Sequence, residues 1–242
     1  GTDWTGTSLP DILPSFVSAG SVSLEENWVT VNLPQSFTNP VVIVGPASHE
    51  GSDPALVRVQ NVTSDSFQIR IQEWDYLDDN HATEEVAWMV IEAGVNVASD
   101  GTVWEAGTFL ADGSLDTKTS QSFSHSFAST PKLFASSQTY AGGSAVAVRV
   151  DNLGASSFQV LVQEQEALTN GHADETIGYL ALSAQPDDTG SHNFDLGSAS
   201  VGEGWTTING IQLQMEEEQS NDAEVDHSNE TVHYFAITPK FG

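Results

Sequence analysis

Three times in this chain a histidine is followed three residues on by a glutamate, four residues later by an aromatic ring, and then by an apolar run. The residues are His81, Glu84 and Trp88, then His172, Glu175 and Tyr179, then His227, Glu230 and Tyr234. An imidazole and a carboxylate at this spacing can ligate a metal, or they can clasp one another and pin a loop. The clasp is favoured, because the element persists even where the surrounding repeat is shortened. A loop reading W-D-Y-L-D-D-N-H leads into the first copy, from Trp74 to His81. Aromatic faces stack on the C–H faces of sugars and carboxylates accept hydroxyl protons. Trp74, Asp75, Tyr76, Asp78 and His81 therefore form a candidate carbohydrate-binding group, with a solvated acidic hairpin as the alternative. The third copy is preceded by E-E-E-Q-S-N-D-A-E-V-D, which sets Asp222, Glu224 and Asp226 at alternate positions. Loops wrap calcium with alternating oxygen ligands, so calcium is the cation expected there. Zinc is disfavoured, because each loop offers one histidine and the chain has no cysteine.

Two of the few cationic side chains, Arg58 and Arg149, fall in the middle of apolar runs, A-L-V-R-V-Q and A-V-R-V-D. A guanidinium there either pairs with a neighbouring acid or donates two hydrogen bonds to a sugar diol or an anionic group.

These residues need a scaffold, and the sequence supplies one twice over. Pro40, Arg58, Phe67, Glu73 and His81 return at a constant offset of 91 as Pro131, Arg149, Phe158, Glu164 and His172. Repeats of this kind govern the whole fold reading. Within the first repeat, β-type runs are predicted at 16–24, 28–33, 41–46, 55–61, 66–74 and 85–92. Turn signals such as Gly51-Ser52-Asp53-Pro54 and Thr63-Ser64-Asp65 separate them. Strand phase places Phe67, Ile69, Ile71 and Glu73 on one face, so a carboxylate ends an apolar row. Phe158, Val160, Val162 and Glu164 repeat that row, and Ile211, Leu213, Met215 and Glu217 repeat it again. Trp88, replaced by Tyr179 and Tyr234, reads as a core residue. The third copy opens at Leu196-Gly197-Ser198 and passes almost directly from Trp205 to Ile211, so about two strands are missing, including the one with the arginine.

The expected fold is all-β: tandem six-stranded antiparallel sandwiches plus a partial third repeat. The expected divisions are an irregular arm at 1–14, repeat one at 15–98, repeat two at 99–188 and the partial repeat at 189–242. The partial repeat cannot close a sandwich alone and is expected to pack on the others, in a pseudo-trimeric manner.

Composition narrows the partners. Six Lys and Arg against 34 Asp and Glu give a formal charge of −28, which repels nucleic acid and anionic membranes. Such a chain suits a secreted protein, a salt-rich habitat or the collection of divalent cations. No apolar run approaches the roughly 20 residues of a membrane span.

The stretch from Phe37 to Glu92 resembles the H-type lectins, the group of snail agglutinin and the discoidin C-terminal domain. It shares an F-x-x-P opening onto an apolar strand, an arginine strand followed by N-V-T-S-D-S-F, a strand ending in Trp, and a last W-M-V-I-E strand. The resemblance covers roughly 15–92 and 103–183 and, in part, 194–238. It implies six-stranded sandwiches that trimerise and bind galactose-type sugars near subunit boundaries. The family's binding arginine falls on Arg58 and Arg149. Its Trp-His pair falls on Trp74-Asp75, where only the tryptophan matches, and on Gln165-Glu166, where neither residue does. The expected function is thus a secreted, non-catalytic carbohydrate-binding module for a glycan or polysaccharide. The alternatives are a calcium-stiffened structural segment of a surface adhesin and an unrecognised polysaccharide hydrolase or lyase. No serine elbow, zinc-protease motif or phosphate loop supports an enzyme.

Overall fold

Alternation of apolar and polar residues converts the first repeat into strands at the expected places. They are β1 (Val17–Leu24), β2 (Val29–Asn32), β3 (Pro40–Ala47), β4 (Ala55–Gln60), β5 (Ser66–Glu73) and β6 (Glu84–Glu92). The computed structural model describes residues 13–183, 194–202, 204–208, 211–215, 220 and 229–237. Described residues contain strands and no helix, so the all-β expectation holds. Two antiparallel sheets, ordered β1-β6-β3 and β2-β5-β4, face each other in unit one. Phe67, Ile69 and Ile71 point between them and meet Val42, Val59, Val86, Val90 and Trp88, all buried. Glu73 ends the same row and is also buried, as its phase requires. A bulge between Val44 and Ala47 interrupts the β3–β6 pairing. Bulges re-aim a strand end, and beyond this one lie Ser48, Glu50 and Gly51, which reach Glu84.

Unit two repeats the plan with β8 (Val103–Ala111), β9 (Lys118–Ser122), β10 (Lys132–Ser137), β11 (Ala147–Asp151), β12 (Ser157–Gln163) and β13 (Glu175–Leu182). Its sheets run β10-β13-β8 and β11-β12-β9. One strand was not foreseen. β7 (Gly94–Val97) pairs antiparallel with β8 and extends the second unit's sheet. Gly94, at φ +115°, allows the chain to turn directly from β6 into it. The passage between units therefore falls near Ala93 rather than at the expected 98.

The third repeat contributes β14 (Phe194–Val201) paired with β17 (Glu230–Ile237), and β15 (Thr206–Ile208) paired with β16 (Ile211–Leu213). These match β1, β6, β2 and β5 in order and pairing. Among the described residues of the third repeat, β3 and β4 have no counterpart.

A separate core joins all three units. Val17, Val41 and Ile91 come from unit one, and Trp104, Ala106, Leu180 and Leu182 from unit two; Leu196 and Phe235 of the third repeat pack against them. The Trp104 and Phe235 rings meet edge-on at 5.5 Å. Each fully buried side chain of this size contributes roughly 1.5–3 kcal/mol, so the joint is held like a protein interior.

Candidate functional site at the unit boundaries

The histidine–glutamate element is a clasp in both full units. His81 Nδ1 lies 3.1 Å from Glu73 Oε1, and its Nε2 lies 3.3 Å from Glu84 Oε1. His172 holds Glu164 and Glu175 in the same way, at 3.1 Å each. The clasp ties the end of β5 or β12 to the start of β6 or β13, and the intervening loop is pinned at its root. Both ring nitrogens and both carboxylates are engaged, so the arrangement anchors the loop. His227, of the third copy, lies outside the described residues.

The buried carboxylate is also a receiver of donors from the strand-end loop. Glu84 accepts the Ser48 hydroxyl and the N–H groups of Glu50 and Gly51, at 2.8 and 2.7 Å for the last two. Burial pushes its carboxyl up, but these bonds, with His81, hold it below the usual range. Glu175 accepts the Thr139 hydroxyl and the Ala141 N–H in matching positions, 91 residues on. Burial raises it too, and His172, Thr139, Arg58 and Ala141 together lower it. The Glu175 hydrogen bond is what chiefly lifts the His172 imidazole above its ordinary value, against the effect of burial.

Arg58 lies at the boundary of units one and two, 1 % exposed, with both terminal nitrogens committed to protein partners. It donates through Nη2 to Glu175 at 2.9 Å, and through Nη1 to Gln72 and the Ser144 carbonyl at 3.1 and 3.0 Å. Its guanidinium carbon sits 4.8 Å from the Tyr140 ring centroid. Of the two readings open for this arginine, the structure shows the ion pair. Burial pulls the guanidinium down and Glu175 draws it back up.

Of the other expected carbohydrate-binding residues, Trp74, His81 and Arg149 line one cavity, and Asp75, Tyr76 and Asp78 are not among its lining residues. Trp74 is buried, and Asp75, although exposed, receives the Ala145 N–H of unit two at 3.0 Å. Tyr76 and Asp78 stand in the open, and His81 belongs to the clasp. Arg149 is half-exposed and reaches Glu230 of the third repeat at 3.5 Å. Of the expected metal ligands, Asp222, Glu224 and Asp226 lie outside the described residues. Within them, Asp53, Glu73 and Asp78 bring one oxygen each to within 4.8 Å of one another. Glu73, however, already receives His81 and the Asp79 N–H. This donor set fits calcium only by sharing Glu73.

The boundaries repeat one another. Arg58 to Glu175 joins unit one to two, and Arg149 to Glu230 joins unit two to three. The free edge of β3 is capped at Val42 by Gln138 of unit two; the matching edge of β10 is capped at Leu133 by His233 of the third repeat. Trp28 meets Tyr140 edge-on at 5.4 Å, and the corresponding Trp205 of the third repeat meets His49 of unit one at 5.2 Å. Head-to-tail contacts thus run from one to two, two to three and three to one, each boundary sharing at least one kind of contact with another, and close a ring within a single chain. Residues of all three units line one cavity of about 360 Å³, among them Glu84, Trp74, Arg149 and Trp205. Sequence reasoning missed Glu175, Gln138, Tyr140 and His233 as boundary residues. The alignment of Trp28-Val29-Thr30 with Trp205-Thr206-Thr207 was the signal that could have exposed the ring.

A chain of this kind is a β-sandwich assembly: an intramolecular ring of two complete units and one partial unit. It is similar to Halomucin of Haloquadratum walsbyi (strain DSM 16790 / HBSQ001), with 34% identity over 192 residues. That match covers 74% of this chain and 2% of the length of that protein. No family model matches the chain, and no solved structure does.

Proposed function

We propose that this chain is a non-catalytic, surface-associated extracellular module of a much longer protein, built to keep its shape in concentrated salt. The observation that carries this reading is the inward commitment of Arg58 and Trp74 to the chain's own core and boundaries, in a chain that carries a −28 charge. Likeness to a small part of Halomucin supports it, through the salt and the mucin in that name. Carboxylates at this density repel one another in dilute buffer, and at the roughly 10 Å screening length of 0.1 M salt they are only partly relieved. Thermal melts across a sodium chloride series, repeated with EDTA and with millimolar calcium at matched ionic strength, test the reading. Stability is expected to climb steadily into molar salt. A midpoint indifferent to salt overturns the high-salt module, and a rise specific to calcium adds a bound cation of the kind expected from the loops.

Exposure of Tyr76 beside the exposed Asp75 and Asp78 supports a second reading, contact with a glycan or polysaccharide through this loop. Glycan-array binding that drops on Tyr76→Ala is the expected result; a clean array, or binding unchanged in the variant, removes this reading.

A further inference from the structure

The ring contains three boundaries, and an arginine reaches the H-x-x-E glutamate across two of them. Arg58 meets the clasp glutamate of unit two and Arg149 meets Glu230 of the third repeat. The third repeat lacks the strand that would carry an arginine to Glu84 of unit one. What stands opposite Glu84 instead is the cavity of about 360 Å³.

Comparison with the filled boundary shows what this cavity is shaped to hold. Around the Arg58 guanidinium lie Glu175, the Ser144 carbonyl, the Tyr140 ring, and behind it Trp28 and Arg70. By the 91-residue offset, Glu175, Ser144 and Tyr140 correspond to Glu84, Asp53 and His49. By the β2–β5 and β15–β16 registers, Trp28 and Arg70 correspond to Trp205 and Gln214. All five of these counterparts line the cavity. The two changes in charge favour a cation: Asp53 adds a carboxylate where Ser144 is neutral, and Gln214 removes the positive charge of Arg70. Gln214 Oε1 is buried without a hydrogen-bond partner. Glu84 itself is 2 % exposed, and among the described residues its ionic partner is His81. The Gly51 N–H takes up the hydrogen bond that Arg58 gives Glu175, but brings no charge. Among the described residues, Oε2 receives the Ser48 hydroxyl alone. Arg149 also lines the cavity, and is bonded to Glu230.

We infer that the boundary between the third repeat and unit one is a binding pocket for a guanidinium group supplied from outside, which Glu84 and Asp53 neutralise and the Trp205–His49 pair flanks. The ligand class is an arginine-type side chain on a flexible arm. A planar fork suits a carboxylate with a free lone pair, and its face suits an aromatic wall.

The test uses the whole chain in salt of fixed ionic strength. N-acetyl-arginine amide is titrated while the Trp205 indole N–H is followed by NMR, with the neutral isostere N-acetyl-citrulline amide as control. Saturable shifts with the arginine amide alone are expected, with affinity falling by about tenfold or more in Glu84→Gln, since charge-assisted bonds are the strong ones. Glu84 also anchors a loop, so Asp53→Ser and Trp205→Leu, both at exposed positions, provide variants that keep the clasp. Each is expected to weaken the arginine amide several-fold. Shifts that do not saturate, equal binding of the citrulline amide, or affinity unchanged in both Asp53→Ser and Trp205→Leu would overturn the proposal.

Discussion

At the scale of single residues, two histidines at the boundaries respond to pH in opposite senses. His172 gives hydrogen bonds to Glu164 and Glu175, and its folded pKa lies above the ordinary 6.5, chiefly through Glu175. The folded state then holds its proton more tightly than the unfolded chain. The stability it contributes is fully present below about pH 6.5 and is lost as pH rises through the raised value. His233 is the reverse: burial depresses it, against the Leu133 carbonyl 3.2 Å from its Nδ1, which favours the charged ring. Its contribution is present above the ordinary value and lost as pH falls through the depressed one. The expected outcome for His172→Gln is a loss of about 1–3 kcal/mol on the acid side, the cost of a poorly satisfied buried group. That loss should shrink toward alkaline pH. Denaturant midpoints of wild type and variant at about pH 5.5 and about pH 9 measure it; an equal gap at both means that His172 is not a charged clasp in the folded protein.

At the scale of elements, the repeated aromatic has a partner that explains its spacing. Trp88, Tyr179 and Tyr234 each sit directly across the strand pair from a glycine: Gly20, Gly107 and Gly197. A methyl group at Gly20 would come within 2.6 Å of the Trp88 ring, and one at Gly197 within 2.3 Å of Tyr234. The ring lies flat over the facing strand because nothing projects there. Both halves of this device were visible as repeated letters, yet their pairing was not, since a glycine and an aromatic 68, 72 or 37 residues apart share no local period. The same limit explains what else was legible. Strand positions followed from the two-residue alternation around Phe67 and Phe158, and the clasp followed from fixed spacing. Arg58 was placed correctly on its strand, but its partner Glu175 lies 117 residues away on another unit. Only the closed ring brings them together. Strand β7 escaped notice because Gly94-Val95-Asn96-Val97 is too short to show a phase.

At the scale of the whole molecule, the decisive feature is closure in cis. A head-to-tail contact that repeats by rotation either forms a ring or grows without limit. Here the third repeat returns Trp205 to His49 of unit one, so the succession ends inside one chain. Opening any boundary would uncover Val41, Ile91, Trp104, Leu180 or Leu182, each buried in the shared core. At roughly 1.5–3 kcal/mol for each such side chain, exchange between molecules has to surrender several of these terms at once. The charge of −28 adds repulsion between molecules that salt screens but does not reverse. Loss of two strands from the third repeat does not spoil the closure, because the contacts that close the ring come from strands it retains and from the turn before β15. The expected state is therefore a monomer whose shape is that of a trimer. Sedimentation equilibrium in molar salt over a hundredfold range of protein concentration should return the mass of a single chain, 25.8 kDa, throughout. A mass that climbs toward a dimer or trimer would show that a boundary surface remains open, and that the ring does not close within the chain.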